Sequence, residues 1–104
     1  MHNEERIACR TPSEGKGGIT RIPVWKFDCL SAAITDAVRA AGADGLPFTD
    51  LKAAVSDRLI VEQRDRIGSI GWHVTTVKLE MEVRGDLIRG KAKGPQRLFL
   101  PDML

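Results

Sequence analysis

The stretch SIGWHVTTVKLEMEVRGDLIRG, residues 69–90, changes its hydrophobic rhythm at Gly85. Up to Arg84 the apolar residues recur every three or four positions, the period of a helix set against a core. After Gly85 the apolar pair Leu87–Ile88 is followed by Arg89, Lys91 and Lys93. The stretch therefore predicts a helix that opens near the capping residue Ser69, stops before Gly85 and runs into a small basic strand. On a helical wheel Ile70, Val74, Val77 and Met81 form one stripe, and Trp72, Leu79 and Val83 lie on the opposite side. Ser69, His73, Glu80 and Arg84 occupy one polar flank; Thr75, Lys78 and Glu82 occupy the other. A helix that is apolar on two opposed faces is expected to pack on both.

Beyond the helix, DLIRGKAKGPQRLFLP (86–101) reads as a hairpin. Leu87–Ile88 and Leu98–Phe99–Leu100 are its strands, GKAKGP is its turn, and Pro95 stands at a strand start, where its missing donor does least harm. Between Arg84 and Arg97 there are five basic residues (Arg84, Arg89, Lys91, Lys93, Arg97) against the single acid Asp86, although the whole chain carries a net charge of only +2. A local excess of this kind attracts phosphate.

Upstream, Pro23 suits the opening turn of a first helix. Phe27, Leu30, Ile34, Ala37, Val38 and Ala41 share its buried face, and Gly42 stops it. In ADGLPFTDLKAAVSDRL (43–59), Asp44–Gly45 marks a turn and LPF a single edge strand. Thr49 is the expected N-cap of a second helix whose buried side carries Leu51, Ala54, Val55 and Leu59. The polar run EQRDR (62–66) is expected to separate this helix from the next. Residues 1–21 are expected to form a flexible N-terminal arm, since TPSEGKGGIT carries one Pro and three Gly with almost no apolar residues; IAC at 7–9 could add a short strand there. Residues 22–101 then make the domain and 102–104 a tail.

A chain of 104 residues is long enough for one domain with a modest core. No apolar run could span a bilayer, and the charged MHNEERIACR lacks the apolar centre of a secretory signal, so a cytoplasmic location is expected. Cys9 and Cys29 match no metal or redox spacing and read as free thiols, with Cys29 partly in the core. GKGG is not a phosphate loop, because no Gly precedes its GK at the required distance and no Ser or Thr follows. No HExxH and no Ser-His-Asp arrangement is present, and Glu80 lies two turns from His73. No catalytic residue, metal site, cofactor or small-molecule substrate is predicted, and the chain is not expected to be an enzyme.

The order of elements (helix, short strand, helix, longer helix, basic hairpin) resembles a winged helix-turn-helix domain over about residues 22–100. The fold class implied is α+β, mainly helical: a three-helix bundle closed by a C-terminal β-hairpin. GKGGITRIP (15–23), GSIGWHVTTVKLEMEVRG (68–85) and PQRLFLP (95–101) further resemble a small bacterial winged-helix family with no assigned activity. The winged-helix resemblance implies a third helix entering the major groove of duplex DNA by its N-terminal half, with the wing tip along the backbone or minor groove. By position, Ser69, His73, Thr75, Thr76 and Lys78 are then the helix contacts, and Arg89, Lys91, Lys93 and Arg97 the wing contacts. Trp72 and Leu79 on the outer face and the charges of Glu80 and Glu82 oppose that assignment. The alternative is a protein-interaction or homodimerisation module that uses the Trp72, Leu79 and Val83 face without binding DNA. Trp25 and Trp72 read as packing anchors, with base stacking as their alternative role.

Overall fold

The computed structural model describes residues 5–10, 19–90 and 96–104. Its architecture is α+β and mainly helical, in the order β1 (Arg6–Cys9), β2 (Thr20–Pro23), α1 (Val24–Ala41), β3 (Leu46–Pro47), α2 (Phe48–Ser56), α3 (Val61–Ile67), α4 (Ile70–Arg84), β4 (Ile88–Gly90) and β5 (Arg97–Phe99). Single 3-10 turns at Gly42–Asp44 and Pro101–Met103 complete it. Among the described residues, no helix is long and apolar enough to cross a membrane.

The first helix is the central pillar. Phe27, Leu30, Ile34, Ala37 and Val38 are buried as the spacing predicts, with Ala33 beside them. They meet Leu51 and Val55 of α2 and Val74, Val77 and Met81 of α4 in one core. Each large aliphatic side chain sunk in this way contributes about 1.5–3 kcal/mol. The helix ends at Gly42, whose φ of 78° lies where a side chain is strained.

The expectation of a loose arm over residues 1–21 is corrected where the chain is described. Residues 6–9 pair antiparallel with residues 20–23, Ile7 opposite Ile22 and Cys9 opposite Thr20. Cys9 and Ile22 point into the core, so this ribbon is part of the domain. Two inward residues suffice to anchor so short a strand, too few to show as a sequence period. The intervening GKGG segment lies outside the described residues.

Two further expectations shift. The second helix begins at Phe48, before the expected Thr49 cap, because the Phe48 N–H donates to the Gln96 carbonyl at 2.8 Å and needs no side-chain acceptor. The run EQRDR is not a spacer but most of a helix, α3, so the described residues hold four α-helices rather than three. Gln63 Oε1 accepts from the Ile60 N–H at 3.1 Å, Arg64 donates to the Ser56 carbonyl at 3.0 Å, and Ile67 is the buried anchor. One apolar anchor in seven residues leaves no periodicity to read.

The long helix and the strands beyond Gly85 follow the opening stretch closely. Gly85 adopts the left-handed conformation at φ 82°, where its N–H reaches the Glu82 carbonyl at 3.1 Å and the Asp86 N–H reaches Met81 at 2.9 Å. The two strands that follow pair antiparallel, Ile88 opposite Phe99 and Gly90 opposite Arg97, and β3 adds to the other edge of β5, giving the order β3-β5-β4. Pro47 thus stands on an edge strand, as its missing donor requires. Leu87, Leu98 and Leu100 close the core on this side.

Candidate functional site

Two charge networks fix α4 in place, and both use residues that looked solvated in the sequence. Glu80 is 1% exposed. Its Oε1 accepts from the Arg10 backbone N–H at 2.8 Å and from Arg10 Nε at 3.1 Å, while Oε2 accepts from Arg10 Nη2 and Arg84 Nε, both at 2.7 Å. The Arg10 guanidinium, helped by Arg84 and opposed by burial, holds the Glu80 carboxyl down to about 2. Beside it, burial and then the Glu80 charge push the Cys9 thiol up. Burial alone raises Cys29, which is half-buried against the core.

Lys78 forms the second network. It is 3% exposed: Nζ donates to Gln96 Oε1 at 2.9 Å, lies 2.5 Å from Glu82 Oε2 and sits 4.7 Å from the centre of the Phe48 ring. Arg89 of β4 approaches the other Glu82 oxygen at 3.6 Å. The expectation of Lys78 as a surface contact is therefore corrected: its charge is spent inside the fold, tying α4 to Phe48 at the start of α2 and to Gln96 just before β5. The same arrangement removes the objection raised by the two α4 acids, since Glu80 and Glu82 are each neutralised by two basic partners.

The remaining sequence-predicted residues divide by place. Ser69 and Thr75 are exposed on the outer side of the N-terminal half of α4. His73 is half-buried, its Nδ1 2.7 Å from the Ser69 carbonyl; a carbonyl only accepts, so Nδ1 carries the hydrogen there. The Thr76 hydroxyl donates to the Trp72 carbonyl at 2.8 Å. Lys52 of α2 passes close enough to Gly71 that a β-carbon there would touch it, which brings a cation to this end of the helix. Arg89 is exposed on β4, whereas half-buried Arg97 donates to the Asp44 carbonyl at 3.2 Å and braces the start of β3. Lys91 and Lys93 lie outside the described residues. Of the second apolar face, Trp72 is 49% exposed, while Leu79 and Val83 are half-buried.

A feature the sequence reading missed adjoins the same helix end. A groove of about 500 Å³ runs between β2, α1, α3 and the first turn of α4. Arg6, Arg21, Lys26 and Arg66 line it together with Trp25, Trp72 and His73. Arg66 lies 4.6 Å from the centre of the Trp25 ring, and the Trp72 and His73 rings meet edge to face at 4.8 Å. The four cations are scattered over 60 positions, so no linear cluster announced them. The one local signal was TRIPVWK (20–26), where two cations and an indole fall within six residues.

The class these observations define is a mainly helical α+β domain that turns the acids of α4 inward and leaves cations at that helix's N-terminal end. Over residues 6–98 the chain matches the family model described as "Family of unknown function (DUF6958)", and it belongs to that family. No curated protein and no solved structure matches it.

Proposed function

We propose that this is a cytoplasmic winged-helix protein that binds duplex DNA, with α4 as the groove-reading helix and β4–β5 as the wing. The observation that carries the reading is the inward turn of Glu80 and Glu82. With both acids neutralised, the outer side of the N-terminal half of α4 offers Ser69 and Thr75 hydroxyls beside Lys52, a surface compatible with base edges and phosphate. The β3-β5-β4 order, with its hairpin following directly on α4, also supports it. In this reading Ser69, His73, Thr75 and Thr76 face the groove, and Arg89, Lys91 and Lys93 follow the backbone.

The test is fluorescence anisotropy of a labelled duplex with Thr75→Glu and Lys52→Glu, both substitutions at exposed positions. Each is expected to weaken binding about tenfold by placing an acid against phosphate. Two variants that bind like the wild type would overturn the assignment of this face.

A second reading rests on its own observation, the half-exposed indole of Trp72 in line with Leu79 and Val83. As a dimerisation face it predicts a dimer by sedimentation, converted to monomer by Trp72→Ala with the fold intact. A wild-type monomer would remove it.

A further inference from the structure

The groove between β2 and α4 gathers four cations that have no acidic partner among the described residues. Arg10, Arg39, Lys78, Arg84 and Arg89 each have a carboxylate within 4 Å. Arg6, Arg21, Lys26 and Arg66 have none, and no acid lines the groove they share, among the described residues. Glu62 belongs to an adjacent hollow that shares Trp25 and Arg66 with it. Cations gathered without counter-charge in a concave surface raise its potential and draw in an anion.

Three of the four are also held in place. Lys26 Nζ donates to the Ile67 carbonyl at 3.2 Å, Arg6 Nη1 to the Arg21 carbonyl at 3.4 Å, and Arg66 stacks on Trp25. Lysine keeps two further donors in such an arrangement, and a guanidinium keeps most of its fork, so fixing one bond prepares the others for a ligand. At the rim, Trp72 is half in water, with His73 packed edge-on to its ring. A volume of about 500 Å³ fits a small molecule rather than a loop or helix of a partner.

We infer that this groove binds a free nucleoside triphosphate, its phosphates among Arg6, Arg21, Lys26 and Arg66 and its base stacked on Trp72. A triphosphate carries a charge comparable to the cluster and opposite in sign, and its oxygens accept bidentate guanidinium bonds. A base laid on an exposed indole is worth about tenfold or more in affinity, which a bare anion cannot recover. The inference goes beyond the duplex reading and stands without it.

Both tryptophans of the chain line the groove and there is no tyrosine, so intrinsic fluorescence reports on this place and, through Trp25, on the adjoining hollow. The experiment titrates the intact protein with ATP, tripolyphosphate and a 5′-phosphorylated oligothymidylate, with calorimetry as a second readout. Expected are saturable quenching by ATP, affinity about tenfold weaker for tripolyphosphate, and loss of about tenfold in ATP affinity with Arg21→Glu. Arg66→Glu serves as a second variant, each checked for an unchanged circular dichroism spectrum. Trp72→Leu, read through Trp25 and calorimetry, should bring ATP down to the tripolyphosphate level. Absence of saturable binding, equal affinity for ATP and tripolyphosphate, binding of the oligonucleotide alone, or folded charge variants that bind as the wild type would each overturn the proposal.

Discussion

Arg10 closes a fork on Glu80 across 70 positions of sequence, with two side-chain bonds at 2.7 and 3.1 Å and its own backbone N–H at 2.8 Å. That relationship fastens the β1–β2 ribbon to α4 and brings Arg6 and Arg21 beside Trp72. The orientation of the groove therefore depends on a carboxylate that contacts nothing in the groove itself.

Glu80→Gln keeps the shape and removes the charge. Hydrogen bonds to a charged group are worth about 1.5–3 kcal/mol, and Arg10 and Arg84 can still reach water, so a loss of about 2 kcal/mol is expected. For a chain of this size that lowers the thermal midpoint by about 10 °C, measurable by circular dichroism. A midpoint equal to the wild type would show that the fork contributes nothing.

The same carboxylate sets an acid limit. Folded Glu80 takes up its proton only at about 2, against 4.5 for an ordinary Glu, so the unfolded chain is protonated first as the pH falls. Its contribution is full above about 4.5, declines between 4.5 and 2, and is gone below that. Denaturant midpoints across this window should fall more steeply for the wild type than for Glu80→Gln; parallel curves would contradict the assignment.

How far the sequence could be read depended on how locally each signal was written. The 69–90 stretch fixed helix, stop and strand because one apolar stripe and one glycine sufficed. The helix at 61–67 escaped, and the strand at 6–9 showed only as an optional addition at IAC, because each is anchored by one or two buried residues. Lys78 and Glu80 looked solvated because their partners, Gln96 and Arg10, are 18 and 70 positions away. The groove cations were invisible for the same reason: only the fold gathers Arg6, Arg21, Lys26 and Arg66.

Cys9 provides a probe of the ribbon's docking. Buried at 2% exposure and pushed up by burial and by Glu80, its thiol should react slowly with an aromatic disulfide reagent in the native state and rapidly in denaturant. In Glu80→Gln the reaction should accelerate as the ribbon loosens. Equal rates in the folded variant and wild type would separate Cys9 protection from the fork.

The central functional claim is most directly tested by the salt dependence of duplex binding. Contact with about four phosphates through α4 and the wing predicts a slope near −3.6 in log K against log salt. Replacing Lys91 and Lys93 together by Glu should bring the slope toward −1.8 and weaken binding at every salt concentration. Binding that is indifferent to salt, or unaltered by that double substitution, would contradict the account.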